Sequence, residues 1–306
     1  MGNKDAELVG DIINLKKKRN AVILSHNYQL GEIQDIADFV GDSLGLSQQA
    51  TKTDADVIVF CGVHFMAETA SIICPDRTVL LPDLNAGCLM ANMITAEGLT
   101  KRKMEFPGIP VVCYINSSAD VKAESDVCCT SANAGKVIES LDAKEILFVP
   151  DQYLGYYIST KTDKKLILWP GFCPTHVKIQ PQDITKLKLE YPQAKVIVHP
   201  ECTPGVIALA DEVLSTSGMC RFAQQTEAKE IIVGTEIGLL HRLGKENPDK
   251  KFIYTSGKVI CPNMKLITLE KVLWSLQDMT HEVKVPEEIR LKAKAAVDKM
   301  LEIGRA

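Results

Sequence analysis

The 306-residue chain has no apolar run approaching the roughly 20 residues that span a bilayer, so no membrane partner is expected. It has no basic-then-apolar opening of the secretory kind, and we expect a cytoplasmic protein whose thiols stay reduced. The opening MGNKDA carries Gly2, but Ala6 stands where a myristoylation signal needs Ser or Thr. Positive charge is not in excess. Lys and Arg number 35 against 39 Asp and Glu, a net charge of −4, which argues against a nucleic-acid partner. The basic run KKKR at 16–19 reads as the solvated face of a first helix. G-x-G-x-x-G, Walker, H-E-x-x-H and G-x-S-x-G patterns are all missing, and GTEIG at 234–238 is no dinucleotide fingerprint. No cysteine has a C-x-x-C partner, which removes the usual closed zinc site.

What is present is a repeat. Short runs rich in Val, Ile and Leu recur, each ending in a polar loop and followed by a helical pattern, as buried parallel strands do. They fall into three sets. AVILSHNY (21–28), PVVCYINS (110–117) and AKVIVHPE (194–201) open them; ADFVGDS (37–43), SDVCCTS (125–131) and ADEVLSTS (210–217) follow. DVIVFCGVHFMAE, EILFVPDQYLGYYI and EIIVGTEIGLLHRL come third, and each set closes in a cysteine loop: TVLLPDLNAGC, KLILWPGFC and KFIYTSGKVIC. Asn116 follows His26 by 90 residues and His199 follows Asn116 by 83; Ser131 follows Ser43 by 88 and Thr216 follows Ser131 by 85; Cys173 follows Cys88 by 85 and Cys261 follows Cys173 by 88. The period predicts an α/β protein of three homologous doubly wound parallel-sheet (αβα) units around a pseudo-threefold axis. We divide it as residues 1–87 plus 265–306, with the last helices folding back on the first unit, then 88–172 and 173–264. Ligands in such sheets gather beyond the carboxyl ends of the strands, where these polar loops lie.

Ten cysteines is a high count, and most are expected to be inert. Cys61, Cys74, Cys113, Cys128 and Cys129 sit in or beside apolar strands and read as small buried residues. Cys202 lies in a polar loop beside Glu201, and Cys220 is open. Cys88, Cys173 and Cys261 differ, because they occupy the same loop in each copy and would converge on the axis. Three thiolates suit zinc, copper(I) or an iron–sulfur cluster. A cubane held by three cysteines keeps one iron free as a Lewis acid.

The first-strand loops supply His26, Tyr28, Tyr114, Asn116, His199 and Glu201, a set able to bind carboxylates and move protons. Glu201 is the sole carboxylate of those core motifs and the candidate base, its pKa expected to rise on burial. Ser43, Ser131 and Thr216 fall at expected helix starts, where hydroxyls and free N–H groups make an anion site. Taken singly, each would be a plain N-cap. His64, His241 and His281 read as structural, and His176 as either a supporting group near Cys173 or a surface residue.

HNYQLGEIQDIADFVGDS, GVHFMAET, CYINSSADVKAESD, TSAN, HPEC, GTEIGLLHRL and CPNMK together resemble the signature segments of the quinolinate synthase family, in family order from about residue 21 to the 270s. The resemblance implies condensation of iminoaspartate with dihydroxyacetone phosphate to quinolinate, with release of phosphate and water, for NAD biosynthesis. An iminoaspartate-producing enzyme would be a functional partner. It also implies one [4Fe-4S] cluster per chain on Cys88, Cys173 and Cys261. Catalytic roles would fall to Glu201, Tyr28, His26, His199 and Tyr114. Substrate contacts would come from His26, Ser43, Tyr114, Ile115, Asn116, Ser131, His199, Pro200, Glu201 and Thr216. The chain departs from the family at Cys261-Pro-Asn-Met, where some relatives carry C-x-x-C-x-x-C, at Gln152-Tyr153, where Lys-Asn is frequent, and at Thr175, where Val is common. Competing readings are a diphthamide-synthesis-like radical iron–sulfur enzyme, a non-catalytic iron–sulfur sensor and a zinc hydrolase.

Overall fold

A computed structural model describes residues 3–304. Its twelve strands form three separate four-stranded sheets, all parallel. The first contains β1 (Ala21–His26), β2 (Phe39–Gly41), β3 (Val57–Cys61) and β4 (Thr78–Leu80). The second contains β5 (Val111–Tyr114), β6 (Val127–Cys129), β7 (Glu145–Val149) and β8 (Lys165–Leu168). The third contains β9 (Lys195–Val198), β10 (Glu212–Val213), β11 (Glu230–Gly234) and β12 (Lys251–Tyr254). Each sheet has its second strand at one edge, then the first, third and fourth: β2-β1-β3-β4, β6-β5-β7-β8 and β10-β9-β11-β12. The expected three-unit α/β architecture is the observed one.

The central strands are buried on both faces, which is why they read as unbroken apolar runs such as AVIL, VIVF and ILFV. One polar residue recurs at the start of each second strand. Asp38 accepts the Ile23 N–H at 2.8 Å, Asp126 the Val111 N–H at 2.7 Å and Asp211 the Val196 N–H at 2.8 Å. The backbone N–H of each aspartate returns a bond to the carbonyl of that same strand residue. This clamp sets the register of the short edge strand, which has few ladder bonds of its own.

The strand order reverses direction between the first and third strands of every sheet, so each unit has its crevice there. The three crevices face one another. The units are joined around this centre by polar contacts: Asn27 Nδ2 donates to Thr216 Oγ1 at 2.7 Å, Gln34 Nε2 to the Gly238 carbonyl at 2.9 Å, and the Ala119 N–H to Glu68 Oε2 at 3.2 Å. The helix Leu269–Asp278 packs on the helix Asn3–Lys18 and on β3 of the first unit, and Val283 N–H bonds the Val79 carbonyl at the β4 edge. The final helix, Glu287–Ile303, reaches further and lies against β6 and the helix Ala119–Ala123 of the second unit as well as the helix His64–Ile73 of the first.

Candidate active site

One cavity lies where the three units meet. Loops after the first strands contribute His26, Tyr28, Tyr114, Asn116, His199 and Glu201 to its wall. Loops after the second strands contribute Ser43, Ser131 and Thr216, and the closing loops contribute Cys88, Cys173 and Cys261. Ile115 and Pro200, between the lining residues of their loops, are buried and do not themselves line the cavity. Cys202 is also fully buried behind Glu201, while Cys220 faces a separate groove beside Arg221. Cys61, Cys113, Cys128 and Cys129 are buried in strands. His64 pairs with Glu68 one turn on, His241 with Asp35 at 2.9 Å, and His281 with the Pro82 carbonyl.

The hydroxyls do not cap helices. Asp42 caps the helix Ser43–Lys52 by accepting the Gly45 N–H, and Ser215 caps Thr216–Gln225 by accepting the Gly218 N–H. Ser43 and Thr216 are each the residue after the cap. Ser131 lies in a turn, and its helix begins only at Ala134. The plain N-cap reading therefore fails for all three.

The three cysteines share one local device. Each precedes a turn of 3₁₀ helix that begins three residues on, at Ala91, His176 and Met264. The Cys88 sulfur faces the N–H groups of Met90 and Ala91, that of Cys173 those of Thr175 and His176, and that of Cys261 those of Asn263 and Met264. Such paired donors favour a thiolate. Burial works the other way and dominates in the metal-free chain, pushing the Cys88 thiol up to about 12 and raising Cys173 and Cys261 too. A metal would release those protons.

Among the described residues, one group of metal-ligating atoms lies within 4.8 Å of one another: Cys173, His176 and Glu201. The three cysteines line one cavity, and their thiolate donor set and shared N–H cradles suit a polynuclear iron–sulfur group. The close approach within the Cys173, His176 and Glu201 group has a simpler cause: His176 Nδ1 stands 2.7 Å from Glu201 Oε2 and 3.2 Å from Cys173 Sγ, the geometry of one shared N–H.

The acid–base groups form a connected chain. Tyr114 donates its O–H to Glu201 Oε1 at 2.5 Å, and Asn116 Nδ2 reaches the same oxygen at 3.4 Å. His176 Nδ1 stands 2.7 Å from Glu201 Oε2, and its Nε2 lies 2.9 Å from Thr235 Oγ1. Thr235 in turn lies 2.5 Å from the Tyr28 hydroxyl. The chain thus runs from Tyr28 through Thr235 and His176 to Glu201. Two more histidines are held alike. The Tyr28 N–H donates to His26 Nδ1 at 3.2 Å and the Glu201 N–H to His199 Nδ1 at 3.3 Å. Each ring therefore carries its proton on Nε2, and in His199 that atom meets Ser131 Oγ at 3.2 Å.

Burial lowers His26 to about 4 and His199 to about 3, so both rings are neutral N–H donors at neutral pH. Burial, reinforced by the charge of Glu201, holds the phenols of Tyr28 and Tyr114 well above their usual range, and both stay protonated. Glu201 departs from expectation. Burial does push its carboxyl up, but the nearby imidazoles of His176 and His199 and the Tyr114 hydrogen bond outweigh it, and the pKa falls well below the carboxylate range. Glu201 is an anchored anion.

His176 and Thr235 were not singled out as site residues by the sequence. His176 is fully buried and central, which excludes the surface reading. Its counterparts three residues after the other cysteines are Ala91 and Met264, so the repeat carried no signal for it. Thr235 directly follows the third strand of its unit, a position for which the repeat gave no candidate, its counterparts being Gly62 and Pro150.

The fold and this axial cavity define an enzyme: three α/β units that aim thiols, imidazoles, phenols and a carboxylate at one enclosed centre. A family model described as NadA: Quinolinate synthetase A protein matches residues 10–302, and the chain belongs to that family. Similar proteins include a quinolinate synthase of Dehalococcoides mccartyi (strain CBDB1), 61% identical over 95% of this chain and 97% of its own. That of Geobacter sp. (strain M21) is 58% identical over 97% and 98%, and that of Methanosarcina barkeri (strain Fusaro / DSM 804) is 55% identical over 98% and 99%.

Proposed function

We propose that the chain is a quinolinate synthase of NAD biosynthesis, joining iminoaspartate to dihydroxyacetone phosphate with loss of phosphate and water. The reaction needs no net oxidant: carbon–carbon and carbon–nitrogen bonds form, and the oxygens leave as phosphate and water. The observation that carries this reading is the convergence of Cys88, Cys173 and Cys261 on a cavity that also holds an anionic Glu201 and two neutral histidines.

Cys88, Cys173 and Cys261 would hold a [4Fe-4S] cluster, which when bound supplies a Lewis-acidic iron for a substrate hydroxyl or carboxylate. The chain's own groups do the rest. Ser43, Ser131 and Thr216, with the Nε2–H groups of His26 and His199, offer neutral donors to the phosphate and carboxylates. Asn116 orients Glu201. Because Glu201 stays ionised, it offers a fixed negative charge to positive charge or an N–H on the bound substrate, and that charge is held in place by Tyr114 and His176. Tyr28 and Tyr114, held as O–H donors, can return protons to departing oxygens.

Anaerobically prepared, cluster-reconstituted protein given iminoaspartate and dihydroxyacetone phosphate should form quinolinate. Iron-replete protein that makes none would reject the activity. A radical enzyme of the diphthamide type would instead consume S-adenosylmethionine, and a sensor would turn over neither substrate set.

A further inference from the structure

We infer that Asp151 and Glu236 are positioning residues that latch two of the three ligand loops, those of Cys173 and Cys261. The inference rests on the cluster reading above. The two acids occupy equivalent places in the repeat, 85 residues apart and each two residues beyond the end of a third strand. In the first unit that place is taken by Val63.

A backbone bond common to all three units establishes the equivalence. His64 N–H donates to the Ala86 carbonyl at 2.7 Å, Gln152 N–H to that of Gly171 at 2.8 Å and Ile237 N–H to that of Val259 at 3.1 Å. Every acceptor lies two residues before its cysteine, and every donor directly follows residue 63, 151 or 236. The loops after the third strands thus touch the cysteine loops in the same register three times. Only two of them add a carboxylate.

Both carboxylates are fully buried and accept backbone N–H groups, Glu236 through both oxygens and Asp151 through one. Glu236 Oε1 accepts the N–H of Cys261 itself at 3.2 Å, and its Oε2 accepts that of Gly238 at 2.7 Å. Lys265, four residues past Cys261, closes on the same carboxylate at 3.0 Å and donates to the Tyr28 carbonyl. The pair therefore fixes both ends of the third ligand loop and ties it to the first unit. Asp151 Oδ1 accepts the N–H groups of Tyr153 and Leu154, each at 2.8 Å, and so caps the helix Gln152–Ser159, whose first N–H is the one that holds the Gly171 carbonyl of the Cys173 loop. Asp151 also pairs in parallel register with Gly171. Its second oxygen, Oδ2, has no hydrogen-bond partner.

That last detail makes the idea testable. Asp151→Asn keeps the Oδ1 acceptor and places its amide where no partner is lost, so the latch survives. Asp151→Ala and Glu236→Ala remove it, and Val63→Ala touches no such bond. Full-length variants are reconstituted anaerobically, and iron release to a ferrous chelator is timed alongside the visible absorbance of the cluster and the melting of the cluster-free protein. Losing a supporting bond of this kind costs about 10–100-fold in metal retention. We expect that acceleration for Asp151→Ala and Glu236→Ala, with Asp151→Asn and Val63→Ala within about 2-fold of the parent. The alanine variants releasing iron at the parent rate would overturn the latch. So would Asp151→Asn failing as badly as Asp151→Ala, or Val63→Ala doing the same. A parent protein that takes up no iron would instead bring down the cluster reading beneath it.

Discussion

Tyr114 and Glu201 come from different units, and their 2.5 Å hydrogen bond is the shortest link across the cavity between the second and third. Both residues are buried and face the same cavity. Hydrogen bonds to charged groups contribute about 1.5–3 kcal/mol. Tyr114→Phe deletes the donor and leaves Oε1 with Asn116 alone at 3.4 Å, beyond the usual range for a strong bond. Glu201→Gln deletes the charge. Each single change also strands the other partner, so neither reports the bond by itself; a double-mutant cycle does. Urea unfolding of the four cluster-free proteins at pH 7 should give a coupling of about 1.5–3 kcal/mol, the double variant being less impaired than the two single losses predict. The same loss would move the Glu201 pKa up by about one to two units, because 1.36 kcal/mol corresponds to one unit. A coupling below about 0.5 kcal/mol, the scatter expected of independent sites, would refute the claim that Tyr114 holds the anion.

Acid should destabilise the cluster-free protein early. His26 and His199 have folded pKa values of about 4 and about 3 against 6.5 when free, so the unfolded chain binds more protons between these limits. Their contribution is present above pH 6.5 and lost as pH falls toward 4, by about 3 kcal/mol for His26; His26→Gln should flatten that slope in pH-dependent melts, and an unchanged slope would contradict it. Gly171→Ala should destabilise the second unit by roughly 1–3 kcal/mol, because its Cβ would lie 2.5 Å from the Pro150 carbonyl oxygen, and thermal melting measures the cost. Cys202→Ala should leave iron content unchanged, since that sulfur is sealed behind Glu201, and iron analysis of the reconstituted variant checks it.

Much of this was readable because the chain says it three times. Short strands such as SDVCCTS would be ambiguous alone, yet the shared period assigned them, and Asp38, Asp126 and Asp211 show why each begins where it does. The cysteines followed from the same logic. What the period could not show was anything present once. His176 has no polar counterpart, so its link between Cys173 and Glu201 needed coordinates. The Glu201 pKa was misjudged because burial is visible in a sequence while His176 stacked on His199, ring centroids 4.7 Å apart, is not. Ser43 and Thr216 do begin their helices, as expected, but Asp42 and Ser215, one residue earlier, are the caps, which frees the two hydroxyls for the cavity.

Iron and sulfide analysis with Mössbauer spectroscopy, on anaerobically reconstituted parent and on Cys88→Ser, Cys173→Ser and Cys261→Ser, tests the shared thiol site most directly. The parent should hold about four irons per chain as a cubane, and each serine variant should lose most of them. A parent that binds a single ion, or variants that keep the full cluster, would contradict it.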